Sequence, residues 1–174
     1  MTSGSIVNGV TGGLSYGSGT VSGNKVEIKG GTVGGNILGG YNTGTGAASS
    51  NTVELTGGTI NAAVYGSWAN GAADDNTVTV KTNVNNSIVG GRGASASGNT
   101  VDLGAVTVTG VVAGGQGSTA NNNKVNMEGS TVGGVITVGS AGGTGNTLTV
   151  KGTNSAGNIT GFQKVSFDLS TAST

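Results

Sequence analysis

Several residue types that usually carry chemistry are absent from this sequence or scarce in it. The 174 residues contain no Cys, no His and no Pro, and only 8% of them are charged and 3% aromatic. Without Cys there is no disulfide scaffold and no thiolate metal site, and without His the commonest acid–base group is missing. No run of 18 apolar residues occurs, and the N-terminal stretch is unlike a signal peptide. We therefore expect a non-enzymatic chain with no catalytic residues, no cofactor, no metal and no membrane insertion of this segment.

The charge balance argues against nucleic acid as a partner. Seven basic and seven acidic residues give a formal net charge of zero. Proteins that bind nucleic acid need a basic excess to neutralise phosphates.

What the sequence has in abundance is Gly, with 38 residues, together with Asn, Thr, Ser and Val. Each Gly in a helix interior costs about 1 kcal/mol relative to Ala, whereas Val and Thr favour strands. We therefore expect an all-β protein with almost no helix.

A strand-like phrase of the form Asn-Thr/Lys-hydrophobic-x-hydrophobic occurs six times along the chain. Its copies start 27, 25, 23, 24 and 23 residues apart, at Asn24, Asn51, Asn76, Asn99, Asn123 and Asn146. A second apolar phrase follows each copy by about nine residues and ends mostly in a Gly pair. A period in this range is typical of solenoids, whereas a propeller blade would need about 40 residues, and the Leu and Asn pattern of a leucine-rich repeat is absent.

Inside each phrase the residues alternate with a period of two, which predicts one buried and one outward face. The predicted inward pairs of the first strand are Val26/Ile28, Val53/Leu55, Val78/Val80, Val101/Leu103, Val125/Met127 and Leu148/Val150. Those of the second strand are Val33/Ile37, Ile60/Val64, Val84/Ile88, Val108/Val112 and Val132/Ile136.

These observations predict a right-handed parallel β-helix, a β-solenoid of about seven coils of ~24 residues. Residues 1–161 hold the repeats, and the first coil is incomplete, with Ile6 and Val10 in the places of Val33 and Ile37. Residues 162–174 form a closing strand or cap. Its bulky side chains are Phe162, Val165, Phe167 and Leu169. The Gly pairs are expected at corners between strands.

The Asn at the head of each first strand has two structural interpretations. Stacked identical Asn side chains can hydrogen-bond along a ladder, and Asn can also form a local Asx turn before a strand. The sequence leaves both open.

A candidate binding surface follows the second strand, where one column reads Leu14, Tyr41, Trp68, Arg92, Gln116 and Ser140. Tyr41 and Trp68 are among the few aromatic residues of the chain, and Arg92 is the only Arg of the chain. Such side chains on loops of a rigid scaffold favour contact with a partner. The alternative is that the rings only cover the bases of the loops.

Three weaker site hypotheses come from other columns. Glu27 and Glu54 stand one coil apart, as a glycosidase pair would, but the flanking Lys25 and Lys29 on a flat face favour a surface charge pair. A Thr column that is interrupted by Lys25 and Lys124 resembles the arrays of ice-binding solenoids; its members are Thr52, Thr77, Thr100 and Thr147. Asp74 and Asp75 are adjacent, but further calcium ligands are missing around them.

The segments NTVELTGGTINAAVYGS and NKVEIKGGTVGGNILGGY resemble the repeats of autotransporter-type adhesins of Gram-negative bacteria, and ITGFQKVSFDLS resembles the strand that closes such a block. The resemblance implies a passenger segment at the bacterial cell surface or outside the cell. Its expected role is attachment to a host-cell or matrix protein or glycan. The alternative is a self-assembling extracellular filament whose subunits associate through open solenoid ends.

Overall fold

The computed structural model describes residues 1–139 and 143–168, and this part of the chain consists of strands, turns and bends. The strands are β1 (Ser5–Ile6), β2 (Val10–Ser15), β3 (Val21–Ser22), β4 (Lys25–Val33), β5 (Ile37–Asn42), β6 (Ala48–Ser49), β7 (Thr52–Ile60), β8 (Val64–Ala69), β9 (Thr77–Val80), β10 (Ile88–Arg92), β11 (Thr100–Gly104), β12 (Thr107–Val108), β13 (Val112–Gln116), β14 (Lys124–Glu128), β15 (Thr131–Val132), β16 (Ile136–Thr137), β17 (Thr147–Lys151), β18 (Ser155–Ala156), β19 (Ile159–Thr160) and β20 (Lys164–Asp168). No helix occurs in the described ranges, so none there is long and apolar enough to cross a membrane.

The strands stack in parallel into two main sheets. The first sheet has the order β1-β4-β7-β9-β11-β14-β17-β20, and the second has the order β19-β16-β13-β10-β8-β5-β2. Along the chain each strand of one sheet is followed by a strand of the other, so the chain winds as a β-solenoid of about six turns of ~24 residues. The short strands β12, β15 and β18 stack in the same way, and along the chain each follows a strand of the first sheet and precedes a strand of the second. The all-β solenoid is confirmed, and its right-handed sense stays a prediction.

The core is aliphatic and lies between the two sheets. Every inward position predicted for both strands is buried, with at most 9% of any of these residues exposed. They form one continuous cluster along the stack. The alternation therefore gives the correct parity in every coil, because a shift of one residue would turn all of these side chains to solvent.

A second line of small buried residues lies under the loops and was not predicted. Its members are Val21, Ala48, Ala73, Ala96 and Ala120, each at most 6% exposed. Backbone hydrogen bonds of 2.8 Å also join the loops of successive coils, as from the Ala73 N–H to the Ser95 carbonyl. The loops are therefore stacked like the strands.

The expectation that the Gly pairs mark corners between strands is wrong for the three pairs of the second sheet, whereas Gly31 and Gly58 have positive φ at the irregular register of β4 and β7. Gly39–Gly40, Gly90–Gly91 and Gly114–Gly115 lie inside β5, β10 and β13. Gly is needed there for close approach: a Cβ at Gly90 would collide with the carbonyl of Gly114 and crowd the Cβ of Asn99.

The two ends of the described chain continue the same stacking. Ile6 pairs with Val33 and Val10 with Ile37, as predicted for the incomplete coil. Strand β20 pairs in register with β17, and Phe162 packs against the core. Phe167 is 67% exposed, and Leu169 lies outside the described residues. The division of the chain at residue 161 stays a prediction.

Candidate functional site

The side chains predicted as a binding surface share one column of the second sheet. The expectation that they follow the second strand on loops is wrong, because Tyr41, Trp68 and Arg92 lie within β5, β8 and β10. Register pairs join Leu14 to Tyr41, Tyr41 to Trp68, Trp68 to Arg92 and Arg92 to Gln116. Ser140, the last member of the predicted column, lies outside the described residues. The repeat spacing therefore places Tyr41, Trp68 and Arg92 on three successive coils.

Trp68 is at the centre of this group. The Cζ of Arg92 lies 4.2 Å from the centroid of the Trp68 ring, a cation–π contact. The ring centroids of Tyr41 and Tyr65 lie 5.9 and 5.2 Å from that of Trp68, with tilted planes. Contacts of these kinds contribute about 0.5–1.5 kcal/mol each, so the side chains hold one another in place. We call Tyr41, Tyr65, Trp68 and Arg92 the aromatic–arginine cluster.

Part of this cluster covers an apolar strip. The residues that alternate with the inward positions of the second sheet would face solvent, yet Leu38, Val89 and Ala113 are at most 8% exposed. Tyr65 belongs to the same column, being in register with Leu38 and Val89, and Trp68 packs against it. That the rings cover the bases of the loops stays a prediction. Trp68 is only half-buried and Arg92 is exposed, so a face of the cluster remains accessible.

From the sequence, Tyr65 and Tyr16 are expected only near the column of Tyr41 and Trp68, and the structure places Tyr65 in contact with Trp68. Tyr65 lies three residues before Trp68, which in a regular strand would put the two side chains on opposite faces. The burial of β8 departs from strict alternation: Gly66 and Ser67 are both buried, whereas Tyr65 and Trp68 on either side of them are both partly exposed. The Gly residue between Tyr65 and Trp68 was the sequence signal that could have indicated this arrangement.

The repeated Asn residues form the ladder, one of the two interpretations left open by the sequence. In five successive links each Asn donates both its backbone N–H and its Nδ2–H to the Oδ1 of the Asn one coil further on, at 2.9–3.2 Å. Asn146 makes the same pair of hydrogen bonds to Oε1 of Gln163, only 17 residues away. Gln163 extends the ladder and was missed because the last coil is shorter and the residue type changes.

Glu27 and Glu54 are held in exposed ion pairs. Lys25 Nζ lies 2.8 Å from Glu54 and 3.4 Å from Glu27, and Lys29 Nζ lies 2.9 Å from Glu27. The hydrogen bond from Lys29 is the main cause that lowers the pKa of Glu27, and the hydrogen bond to Glu54 is the main cause that raises the pKa of Lys25. A lowered carboxyl pKa is the opposite of what a general acid requires, so the geometry favours the surface charge pair.

The Thr column and the acidic loop also have structural explanations. Thr52, Thr77 and Thr100 are consecutive in register, but Lys25 and Lys124 flank them, as the sequence indicates. In the loop, Asp74 Oδ1 accepts hydrogen bonds from the Ser95 hydroxyl and the Ser97 N–H, which staple successive coils together.

Comparisons of the chain with protein-family models, with curated proteins and with solved structures gave no match. The functional argument therefore rests on the geometry. A rigid scaffold presents half-buried aromatic rings beside an exposed guanidinium, an arrangement suited to binding a protein or glycan surface.

Proposed function

We propose that this chain is a non-enzymatic, rod-like segment of a bacterial surface or secreted protein that mediates or supports attachment. Its partner is a host-cell or matrix protein or glycan, and its contact surface is the aromatic–arginine cluster. The observation that carries the proposal is the position of that cluster on a scaffold whose coils are locked to one another.

The scaffold supports this role because its side chains are fixed before a partner arrives. The Asn ladder and the continuous core hold the second sheet, and the stacked loops next to it are hydrogen-bonded between coils. A preorganised surface avoids the cost of immobilising side chains upon binding, which is about 0.5–1.5 kcal/mol for each flexible side chain.

The composition of the cluster supports the same role. Trp, Tyr and Arg dominate the residues whose truncation weakens protein interfaces most. Arg92 lies over the Trp68 ring and remains exposed, so it offers hydrogen-bond donors to a carboxylate or a carbonyl of the partner.

Attachment of beads coated with the purified chain, measured on host-cell layers and on matrix-coated wells, tests the proposal. Trp68→Ala should weaken attachment at least tenfold, corresponding to about 1.4 kcal/mol or more. Tyr16→Ala is the matched control, because Tyr16 is 77% exposed and outside the cluster. Equal attachment by Trp68→Ala and the parent, with unchanged melting curves, would show that these coils are a passive stalk.

A second candidate is a self-assembling filament. On the last described strands, Ile159, Val165 and Phe167 are 44, 41 and 67% exposed. A further parallel rung, supplied by a second copy of the chain, would bury these side chains. Electron microscopy and sedimentation over a range of concentrations test this candidate. It predicts fibres that Phe167→Asp abolishes, whereas a monomer at all concentrations would rule it out.

A further inference from the structure

The outward face of the first sheet contains a notch at Gly104. In register on the last residues of β11, β14 and β17 are Gly104, Glu128 and Lys151, and Lys81 stands on the other side of Gly104. Because Gly104 has no side chain, the column is interrupted there. The lining of the resulting cavity, of about 290 Å³, contains apolar atoms, Leu103 and Met127 among the residues, as well as the polar side chains of Thr79, Lys81, Asp102, Asn126, Glu128 and Lys151.

The fold does not require Gly at this position. Gly104 is not among the residues with positive φ. A Cβ built on it would meet only Lys81 Cγ at 3.7 Å and the Val80 carbonyl at 3.8 Å, which are ordinary contacts. Gly inside a strand costs about 0.5–1 kcal/mol relative to Ala. The backbone conformation at residue 104 therefore does not require Gly, and the missing side chain leaves an opening in the surface.

The polar groups around the notch suit a ligand that both donates and accepts hydrogen bonds. Asn126 Nδ2 donates to Asp102 Oδ1 at 2.6 Å. Within residues 1–139 and 143–168 the second carboxylate oxygen of Asp102 and the Oδ1 of Asn126 have no side-chain partner, and both residues are half-exposed. A carboxylate oxygen and an amide side by side match two neighbouring hydroxyl groups, which can each donate and accept.

The charges around the notch cancel. Glu128 and Lys151 form an ion pair at 2.9 Å along one side. The negative charge of Asp102 is balanced by the positive charge of Lys81, which lines the same cavity and makes no ion pair in the described part of the chain. A balanced site does not concentrate phosphate or a metal cation, and its lining has no aromatic ring on which a nucleobase would stack.

We propose that the Gly104 notch binds a saccharide through adjacent hydroxyl groups, with Asp102 and Asn126 as the principal partners. An adjoining hollow of about 240 Å³, lined by Lys81, Gly104 and Ala105, extends the groove along the same surface. Together the two hollows reach the size of small-molecule sites, about 300–1,000 Å³. This site is separate from the aromatic–arginine cluster and does not depend on the attachment role proposed above.

The test is binding of the purified chain to an immobilised panel of defined neutral and uronate-containing oligosaccharides, followed by saturation-transfer NMR with the members that bind. Gly104→Gln fills the notch, and Asp102→Ala removes its main acceptor. Each should weaken binding at least tenfold. Gly17→Gln is the matched control, because a Cβ at Gly17 would meet no atom within 4 Å and the change leaves the notch intact.

The outcomes separate the two proposals. Unchanged binding by Gly104→Gln, or no binding of any panel member to the parent, overturns the notch. Loss of saccharide binding in Trp68→Ala but not in Gly104→Gln also overturns it and moves the saccharide to the cluster. Lys81→Ala distinguishes the ligands: a loss confined to uronate-containing sugars assigns their carboxylate to Lys81, and equal binding assigns a neutral sugar.

Discussion

Asn76 donates two hydrogen bonds to the single side-chain oxygen of Asn99, one from its backbone N–H and one from its Nδ2, both at 2.9 Å. Both residues are completely buried. Because the acceptor belongs to the next coil, the pair fixes the register of two coils as well as satisfying buried polar groups. This pair of hydrogen bonds is repeated along the solenoid, so the ladder joins successive coils through buried polar groups, as the core does through aliphatic side chains.

The ladder predicts a large loss of stability when one Asn is removed. Asn99→Ala leaves two buried donors of Asn76 without their acceptor, and each unsatisfied buried group costs about 1–3 kcal/mol. Urea unfolding should show a loss of about 3 kcal/mol or more. Asn36→Ala is the control, since Asn36 is exposed and its side chain makes no hydrogen bond in the described part of the chain, and it should stay within about 0.5 kcal/mol of the parent. Equal losses in the two variants would show that the ladder does not stabilise the fold.

The strand positions and their parity could be predicted because both follow from a period of two inside a period of about 24. The conformation of the residue before each ladder Asn could not. Gly23, Gly98 and Gly145, as well as Ser50, Asp75 and Asn122, all have φ between +55° and +70°. The residue type varies from coil to coil, and the common feature is tolerance of left-handed backbone, which composition alone does not indicate.

This left-handed column predicts a coupling between two neighbouring coils. Gly98 has φ +68°, and a Cβ on it would collide with Oδ1 of Asp75. Gly98→Ala should therefore destabilise the chain by about 1–2 kcal/mol, from backbone strain and from displacement of Asp75. In an Asp75→Gly background the collision disappears and only the strain remains, so the loss should be smaller. A double-mutant cycle in thermal unfolding measures the difference, and strict additivity would contradict the predicted contact.

The inward parity predicts opposite responses at adjacent positions. Val78 is completely buried, whereas Thr77 is half-exposed on the outward face. Val78→Asp places an unpaired charge among aliphatic side chains and should cost several kcal/mol, enough to unfold the middle coils. Thr77→Asp should leave the β-type circular dichroism spectrum intact. Similar melting curves for the two variants would show that the assignment of faces is wrong.

Less of the candidate site than of the fold could be predicted. The column of Tyr41, Trp68 and Arg92 follows from the repeat spacing, because in-register stacking brings equivalent positions of successive coils together. The inclusion of Tyr65 depends on the interrupted alternation of burial in β8, and the notch depends on what surrounds Gly104. A repeat pattern specifies which positions are neighbours, whereas side-chain directions and empty volumes depend on the packing of particular residues.

The ion pairs on the first sheet predict a specific pH dependence. The pKa of Glu27 is lowered from 4.5, chiefly by its hydrogen bond with Lys29, so its contribution to stability is present above that value and is lost as the pH falls through the folded-state pKa. The melting temperature of the parent should decrease between about pH 5 and about pH 3. Glu27→Gln should melt lower than the parent at neutral pH and lose less on acidification, so that the two curves converge in acid. The effect should be smaller than that of Asn99→Ala and should shrink in high salt, because all the partners are exposed. Lys124 makes no ion pair in the described part of the chain, so the melting temperature of Lys124→Gln should change with pH in parallel with that of the parent. Parallel curves for Glu27→Gln and the parent would contradict a stabilising role for Glu27.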